Sequence, residues 1–349
     1  MPGWWRGRSR EHPPHDAGSA VRRALVAVLD RDLERAERLL GGVVQQDSGE
    51  LEAYLALARL FRQRGEVGRA IHVHQNLLLR RDVGPAVRLQ ALLGLADDFR
   101  AGGFLRRAIA AYREVLAEQP DHPRALRALV ELLADAGEPR EAIPLARRLA
   151  RVERRAAGPA EAVLWTQVAE LERGAGRAEA ARKALRRALR RDPACVRAWL
   201  ALGEVESELG RMRKALAAFR RAVSLDRRAG AHAYPRLSAL AAAAGRAGEH
   251  ERWLRARVEE QPDDREARLA LASLLAARGA AEQAEAELRA ALEREPDALA
   301  AHVALGRLLL AEGRAEAAAK AHEELLGVLE RRAGALAPHA DAAETDPFA

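Results

Sequence analysis

An all-α superhelical solenoid of about nine helix-turn-helix repeats is the fold the sequence predicts, and three observations predict it. The first is composition. Alanine, leucine, arginine and glutamate dominate the 349 residues, and aromatic residues make up only 4%. Helix formers are plentiful throughout, while the β-branched and aromatic residues that fill strands are scarce. The second is an alanine that recurs at a fixed interval. The third is the punctuation: single glycines fall between the helices of each unit, and prolines fall after several of them.

The recurrence sets the order of the elements. Ala36, Ala70, Ala108, Ala142, Ala181, Ala215, Ala284 and Ala318 each belong to the second helix of a repeat. The intervals Ala36 to Ala70, Ala108 to Ala142, Ala181 to Ala215 and Ala284 to Ala318 are each 34 residues, the period of a tetratricopeptide unit. Other neighbouring intervals are longer by four or five residues, which insertions such as Arg81 to Pro85 and Arg155 to Pro159 supply. Gly65, Gly103, Gly137, Gly176, Gly210, Gly279 and Gly313 separate the two helices of their repeats, since glycine suits the left-handed residue after a helix end. Pro120, Pro193, Pro262 and Pro296 close repeats, because a residue without an N–H stops the second helix. Large residues open repeats at Tyr54, Leu92, Trp165 and Trp199. Small ones follow four positions later at Ala58, Ala96, Ala169 and Gly203, where helices must approach closely.

These signals predict a solenoid over residues 17–332, with a juxtamembrane-like, disordered tail at 1–16 and a second disordered tail at 333–349. The seventh repeat is irregular. His250 or Trp253 falls where the others place alanine, and a bulky side chain there is expected to spread the helix pair.

Charge and cysteine usage narrow the function classes. The net charge is +7, and the stretch from Arg140 to Arg228 carries roughly +11 of its own, leaving the remainder mildly acidic. A single cysteine, Cys195, excludes a disulfide framework or a multi-thiolate metal site within the chain. No apolar run reaches the length of a membrane span, and residues 1–16 have no apolar signal core, so a cytoplasmic location is expected.

No set of side chains points to catalysis, to a cofactor or to a bound metal. His72 and His74 are two apart on one helix and so face different ways. His74 falls where other repeats have Tyr112 or Phe219, which reads as a packed structural residue. Cys195 has no histidine near it in sequence, and no phosphate-binding glycine loop is present. The acidic pairs Asp97-Asp98 and Glu259-Glu260 read as ordinary helix-surface charges. An enzyme is not expected.

What remains is surface. In stacked repeats the second, fifth, ninth and twelfth positions of each first helix face a concave side. Those positions give Leu55, Arg59 and Arg62 in the second repeat, and Leu93, Asp97 and Arg100 in the third. They give Arg127 and Glu131 in the fourth, and Leu200 and Glu204 in the sixth. An apolar floor rimmed by arginine and carboxylate suits an amphipathic helix or extended segment of another protein. Arg182, Lys183, Arg186, Arg187, Arg190 and Arg191 recur at three- and four-residue steps and predict a basic stripe on the outside of the fifth repeat. Arg147, Arg148, Arg151, Arg154 and Arg155 form a similar set before it. An anionic membrane surface suits such a stripe. Nucleic acid is disfavoured because aromatic residues to stack bases are lacking there.

One stretch is more specific than the repeat pattern. Leu60-Phe61-Arg62-Gln63-Arg64-Gly65-Glu66-Val67-Gly68-Arg69-Ala70-Ile71-His72-Val73-His74-Gln75-Asn76-Leu77 resembles the second repeat of the lipopolysaccharide assembly protein B family. The likeness continues through Ala101 to Ala108 and near Gly248 to Trp253. The resemblance implies a nine-repeat adaptor at the cytoplasmic face of the inner membrane, coupling a membrane AAA+ protease to the lipid A deacetylase and so regulating lipopolysaccharide synthesis. Family members also have an N-terminal membrane helix and a C-terminal metal knuckle. Gly3-Trp4-Trp5-Arg6-Gly7-Arg8 resembles the stretch after that helix, which implies a native start upstream of Met1. No pair of C-x-x-C motifs follows Arg332, so metal binding does not carry over. That departure leaves a second reading open, a general repeat scaffold of another envelope or secretion complex.

Overall fold

The structure is a computed structural model that describes residues 17–336, with side chains for 19–333. The tail expected at 1–16 lies outside the described residues, as do residues 337–349 of the tail expected at 333–349. Residues 333–336 continue the last helix four positions past the expected solenoid end, since Ala-Gly-Ala-Leu contains no proline to stop it. All regular elements among the described residues are helical.

The chain divides into two compact units, Met1–Gln167 and Val168–Ala349. The first holds α1 (Ala17–Leu29), α2 (Leu33–Gln46), α3 (Leu51–Gln63), α4 (Val67–Leu79), α5 (Pro85–Ala101), α6 (Leu105–Glu118), α7 (Pro123–Asp135) and α8 (Pro139–Val152). Helix α9 (Gly158–Gly174) runs through the boundary. The second holds α10 (Ala178–Arg191), α11 (Val196–Glu208), α12 (Met212–Leu225), α13 (Gly230–Ala243) and α14 (Ala247–Glu260). It continues with α15 (Arg265–Ala277), α16 (Ala281–Arg294), α17 (Leu299–Ala311) and α18 (Ala315–Leu336). In each unit, consecutive helices pack as pairs and each pair stacks on the next.

The recurring alanine is the fourth residue of each second helix. Ala36, Ala70, Ala108, Ala142, Ala181, Ala215 and Ala284 have no exposed surface, and Ala318 has 1%. A larger side chain at such a contact overpacks it at a cost of typically 1–3 kcal/mol. Ala58, Ala96 and Ala169 in the first helices are equally closed off. At three ring contacts the facing residue lacks even a methyl group. A Cβ on Gly203 would stand 2.7 Å from the Phe219 ring, one on Gly306 2.8 Å from His322, and one on Gly94 2.2 Å from His74.

The turns follow the sequence signals. All seven expected glycines have positive φ, between 70° and 79°. At Gly65 the motif is complete: Glu66 N–H donates to the Phe61 carbonyl at 2.8 Å and Gly65 N–H to that of Arg62 at 3.0 Å. Gly245 (φ 65°) supplies the corresponding turn in the seventh repeat, and Arg31 (φ 60°) does so in the first, where no glycine is present. The two insertions emerge as an extra turn at the start of α5 and α9, each 17 residues against 13 for α3, α7 and α11.

Proline and the large opening residue prove to be one device. Trp199 Nε1–H donates to the Pro193 carbonyl at 2.9 Å, and His302 Nε2 lies 2.8 Å from the Pro296 carbonyl. Arg268 Nη2 reaches the Pro262 carbonyl at 3.4 Å. In each case the fourth residue of a first helix ties back to the proline that ended the repeat before it.

In the seventh repeat the alanine position belongs to His250, fully buried as the fourth residue of α14. Its ring stacks on Trp253 at 5.6 Å between centroids, and its Nε2 lies 3.2 Å from Ser238 Oγ. Trp253 in turn meets Tyr234 at 6.0 Å and carries the Arg220 guanidinium 5.0 Å above its ring. Aromatic packing here replaces the close alanine contact. Burial, with the nearby Arg220 charge, pushes the His250 imidazole down to about 4. An unfolded histidine binds its proton near 6.5, so between those values the unfolded chain holds more protons and stability is lost as the pH is lowered. Replacing His250→Phe is expected to remove up to about 3 kcal/mol of that loss between pH 7 and pH 4. Urea denaturation of both proteins at several pH values in that range measures the difference.

Candidate functional site

In the first unit the predicted residues lie on α3, α5 and α7, and they divide into two groups. Leu55 is closed off beside Leu77 and Ala91, below the surface rather than on it. Arg62 turns inward: its Nη1 donates to Asp98 Oδ1 at 2.6 Å and to the Gly94 carbonyl at 3.2 Å. Asp98 is fully buried, and its other oxygen is 2.5 Å from His74 Nδ1. Asp97 is only 13% exposed and accepts from Tyr112 OH at 2.6 Å and Arg124 Nη2 at 2.5 Å. Burial, then the hydrogen bond to Asp97, raises the Tyr112 phenol above its usual range and keeps it a donor. The expectation that Asp97-Asp98 are plain surface charges is therefore corrected: both are anchors between repeats. Glu259 and Glu260 are exposed, as expected.

The second group stays open. Arg59 is exposed and Leu93 half-buried. Arg100 and Glu131 pair at 2.7 Å across adjacent repeats, each side chain 45% exposed, and Arg127 pairs with Glu153. Elsewhere in this unit a cavity of about 340 Å³ is lined by Tyr54, His72, Val73, Asn76, Leu77 and Arg80. His72 faces it while His74 is buried, so the two histidines do point apart.

In the second unit Leu200 and Glu204 come together in a cleft of about 300 Å³ between α9, α11 and α13. Ala169, Leu200, Ala201 and Val205 contribute apolar lining, and charged residues rim it. Arg197 Nη2 holds both oxygens of Glu170 at 2.8 and 2.9 Å. Glu204 accepts from His232 at 3.0 Å and pairs with Arg236, and Arg173 reaches Glu208 at 2.6 Å. Sequence reasoning missed Glu170, Arg173, Arg197, His232 and Arg236. Counting from Trp165 as from Trp199 places Glu170 and Arg173 at the ninth and twelfth positions, so the same rule finds them. Arg197 falls at the second position by the same count, and so does His232 when Tyr234 is taken as the opening residue eleven before Gly245; Arg236, at the sixth position, lies outside the rule.

The basic stripe is thinner than its sequence. Arg182 is half-buried and pairs with Glu179 at 2.8 Å, and Arg186 lies 3.8 Å from the buried Glu206. Arg187 and Arg190 are exposed. In the preceding set, Arg147 pairs with Glu161 and Arg148 with Asp121, each at 2.7 Å. Cys195 is a free, half-buried thiol at the start of α11. Among the described residues there is no group of three or more His, Cys, Asp or Glu that could hold a metal ion, and no helix long and apolar enough to cross a membrane.

Stacked helix pairs with open, mixed apolar and charged faces define a repeat scaffold of the protein-binding kind. A tetratricopeptide repeat family model matches residues 93–162, 169–233 and 269–338, more than half of the chain. The chain belongs to the tetratricopeptide repeat family. It is 32% identical over 155 residues to lipopolysaccharide assembly protein B of Escherichia coli (strain K12), covering 43% of this chain and 40% of that protein. Its match to the Haemophilus influenzae protein of the same name is 29% over 216 residues, or 58% and 54% of the two chains. The chain thus spans about half the length of these relatives. Cellulose synthase operon protein C of Pseudomonas fluorescens is 30% identical over 164 residues, 46% of this chain and 13% of that one. The family resemblance read from the sequence is upheld.

The Arg62 geometry separates folding from binding. Arg62→Ala strips Asp98 of its cation and is expected to cost about 3 kcal/mol. Arg59→Ala, one turn away and exposed, is expected to change stability by less than about 0.5 kcal/mol. Paired urea titrations measure both.

Proposed function

We propose that the chain is a non-catalytic adaptor that captures segments of other proteins on its first-helix faces and regulates lipopolysaccharide (lipid A) biosynthesis. In this reading it acts at the cytoplasmic face of the inner membrane and couples a biosynthetic enzyme, the lipid A deacetylase, to a membrane AAA+ protease. What carries the reading is the cleft of the sixth repeat, apolar within and charged at its rim, in a chain similar over part of its length to lipopolysaccharide assembly protein B. An apolar anchor of the partner would bury against Leu200 while its charges exchange with Glu170, Glu204, Arg197 and Arg236. In the first unit Leu93, Arg100, Arg127 and Glu131 offer the same chemistry.

A second reading, a general repeat scaffold of another envelope or secretion complex, draws support from the similarity to cellulose synthase operon protein C.

Depleting the protein is expected to change the cellular level of the lipid A deacetylase, read by immunoblot. An unchanged level favours the second reading. Leu93→Asp with Arg100→Glu, and separately Leu200→Asp, are each expected to weaken partner capture at least about tenfold. Helicity by circular dichroism should stay at the parent value, and capture that survives all three substitutions moves the contact surface elsewhere.

A further inference from the structure

Helices α10 and α12 carry eleven charged side chains, and ten are basic: six on α10 and four on α12, against Glu179 alone. The later second helices of the unit differ. Together α14 and α16 carry eight acids and five arginines, so the positive charge is local rather than a property of the whole surface. Arg211, at the start of α12, reaches back to Glu179 of α10 at 2.6 Å, which sets the two helices side by side. That contact and the Arg182 pair occupy the one carboxylate.

What remains outward is cationic. Lys183 and Arg190 on α10 and Arg213, Lys214 and Arg221 on α12 are exposed and, among the described residues, make no ion pair. Arg227 and Arg228 extend the face beyond α12. The face has no anchor for a protein partner, since no large apolar side chain of α10 or α12 is exposed. Nor does it offer an aromatic on which bases could stack, Phe219 being fully buried. The apolar cleft of this unit opens between α9, α11 and α13 instead. Two adjacent helices present their cations over an area. A rod such as duplex nucleic acid meets such an area along a line, whereas a planar layer of headgroups meets all of it.

We propose that the α10–α12 face is a docking surface for anionic phospholipid headgroups, independent of the cleft that holds protein segments. Lateral diffusion lets headgroups gather beneath long, mobile Arg and Lys side chains, so no preformed pocket is required. The cleft then stays free while the face is engaged.

Co-sedimentation of the full chain with phosphatidylcholine vesicles, with and without phosphatidylglycerol, tests this. Binding is expected only with the anionic lipid, and it should weaken as salt is raised. Each charge removed should cost roughly fivefold in partitioning. Lys183→Gln with Lys214→Gln should therefore lose about twenty-five-fold, and adding Arg190→Gln and Arg221→Gln well over about a hundredfold. Arg252→Gln with Arg294→Gln, on α14 and α16, should bind as the parent does, as should Leu200→Asp in the cleft. Equal sedimentation with both vesicle types overturns the proposal. So does unchanged binding by both lysine and arginine variants when circular dichroism shows them folded. Displacement from the vesicles by duplex DNA at equal phosphate concentration would assign the face to nucleic acid instead.

Discussion

The structure depends on how closely two short helices can approach, and that distance is set by a single methyl group. With alanine buried as the fourth residue of a second helix, the backbones meet without a gap and larger neighbours close over the contact. None of these helices could bury its apolar stripe alone. Packing each pair against the next completes the core, so a small side chain repeated once per helix pair governs the stack within each unit. Gly94, Gly203 and Gly306 extend the same constraint: at these three positions a facing ring leaves no room for a methyl group.

Polar contacts refine this arrangement more than they hold it. Arg124 with Asp97, Arg148 with Asp121 and Arg197 with Glu170 all bridge residues 27 positions apart, from one repeat to the next. The Arg148 and Arg197 pairs, open to solvent, contribute about 0–1 kcal/mol each and tune alignment. The Arg124 pair also satisfies the largely covered Asp97, and apolar burial supplies the stability. The buried set of Arg62, Asp98 and His74 is of another kind. Taking a carboxylate fully out of water demands partners on both oxygens, and here one comes from the preceding repeat's first helix and one from its second. That set fixes how the third repeat sits on the second.

Once the closely packed faces are used up, two kinds of surface are left in the second unit. The cleft at Leu200 keeps apolar floor and charged rim together, which suits a folded or extended protein segment. The α10–α12 face keeps charge without apolar anchors. On the two proposals made for them, these surfaces would engage chemically unlike partners without competition.

The period, the glycine turns and the proline stops were legible because each is a local backbone demand that one residue type satisfies. Ala36 to Ala318, Gly65 to Gly313 and Pro120 to Pro296 therefore announce the helix pairs by identity alone. The sites were less legible, because the same residue type serves two ends. Arg62 and Arg100 are both arginines three residues before the turn glycine of their repeat. One neutralises a buried aspartate and the other stands in solvent, and only the neighbouring helix decides which. Asp97 and Asp98 look like surface acids until Arg62, Tyr112 and Arg124, distant in sequence, converge on them. His250 breaks the alanine rule, and the sequence shows the break, but the Trp253, Tyr234 and Arg220 packing that accommodates it exists only once α12, α13 and α14 are assembled. Local sequence determines where a chain bends; the pairing of its charges depends on which elements packing brings within a few ångströms.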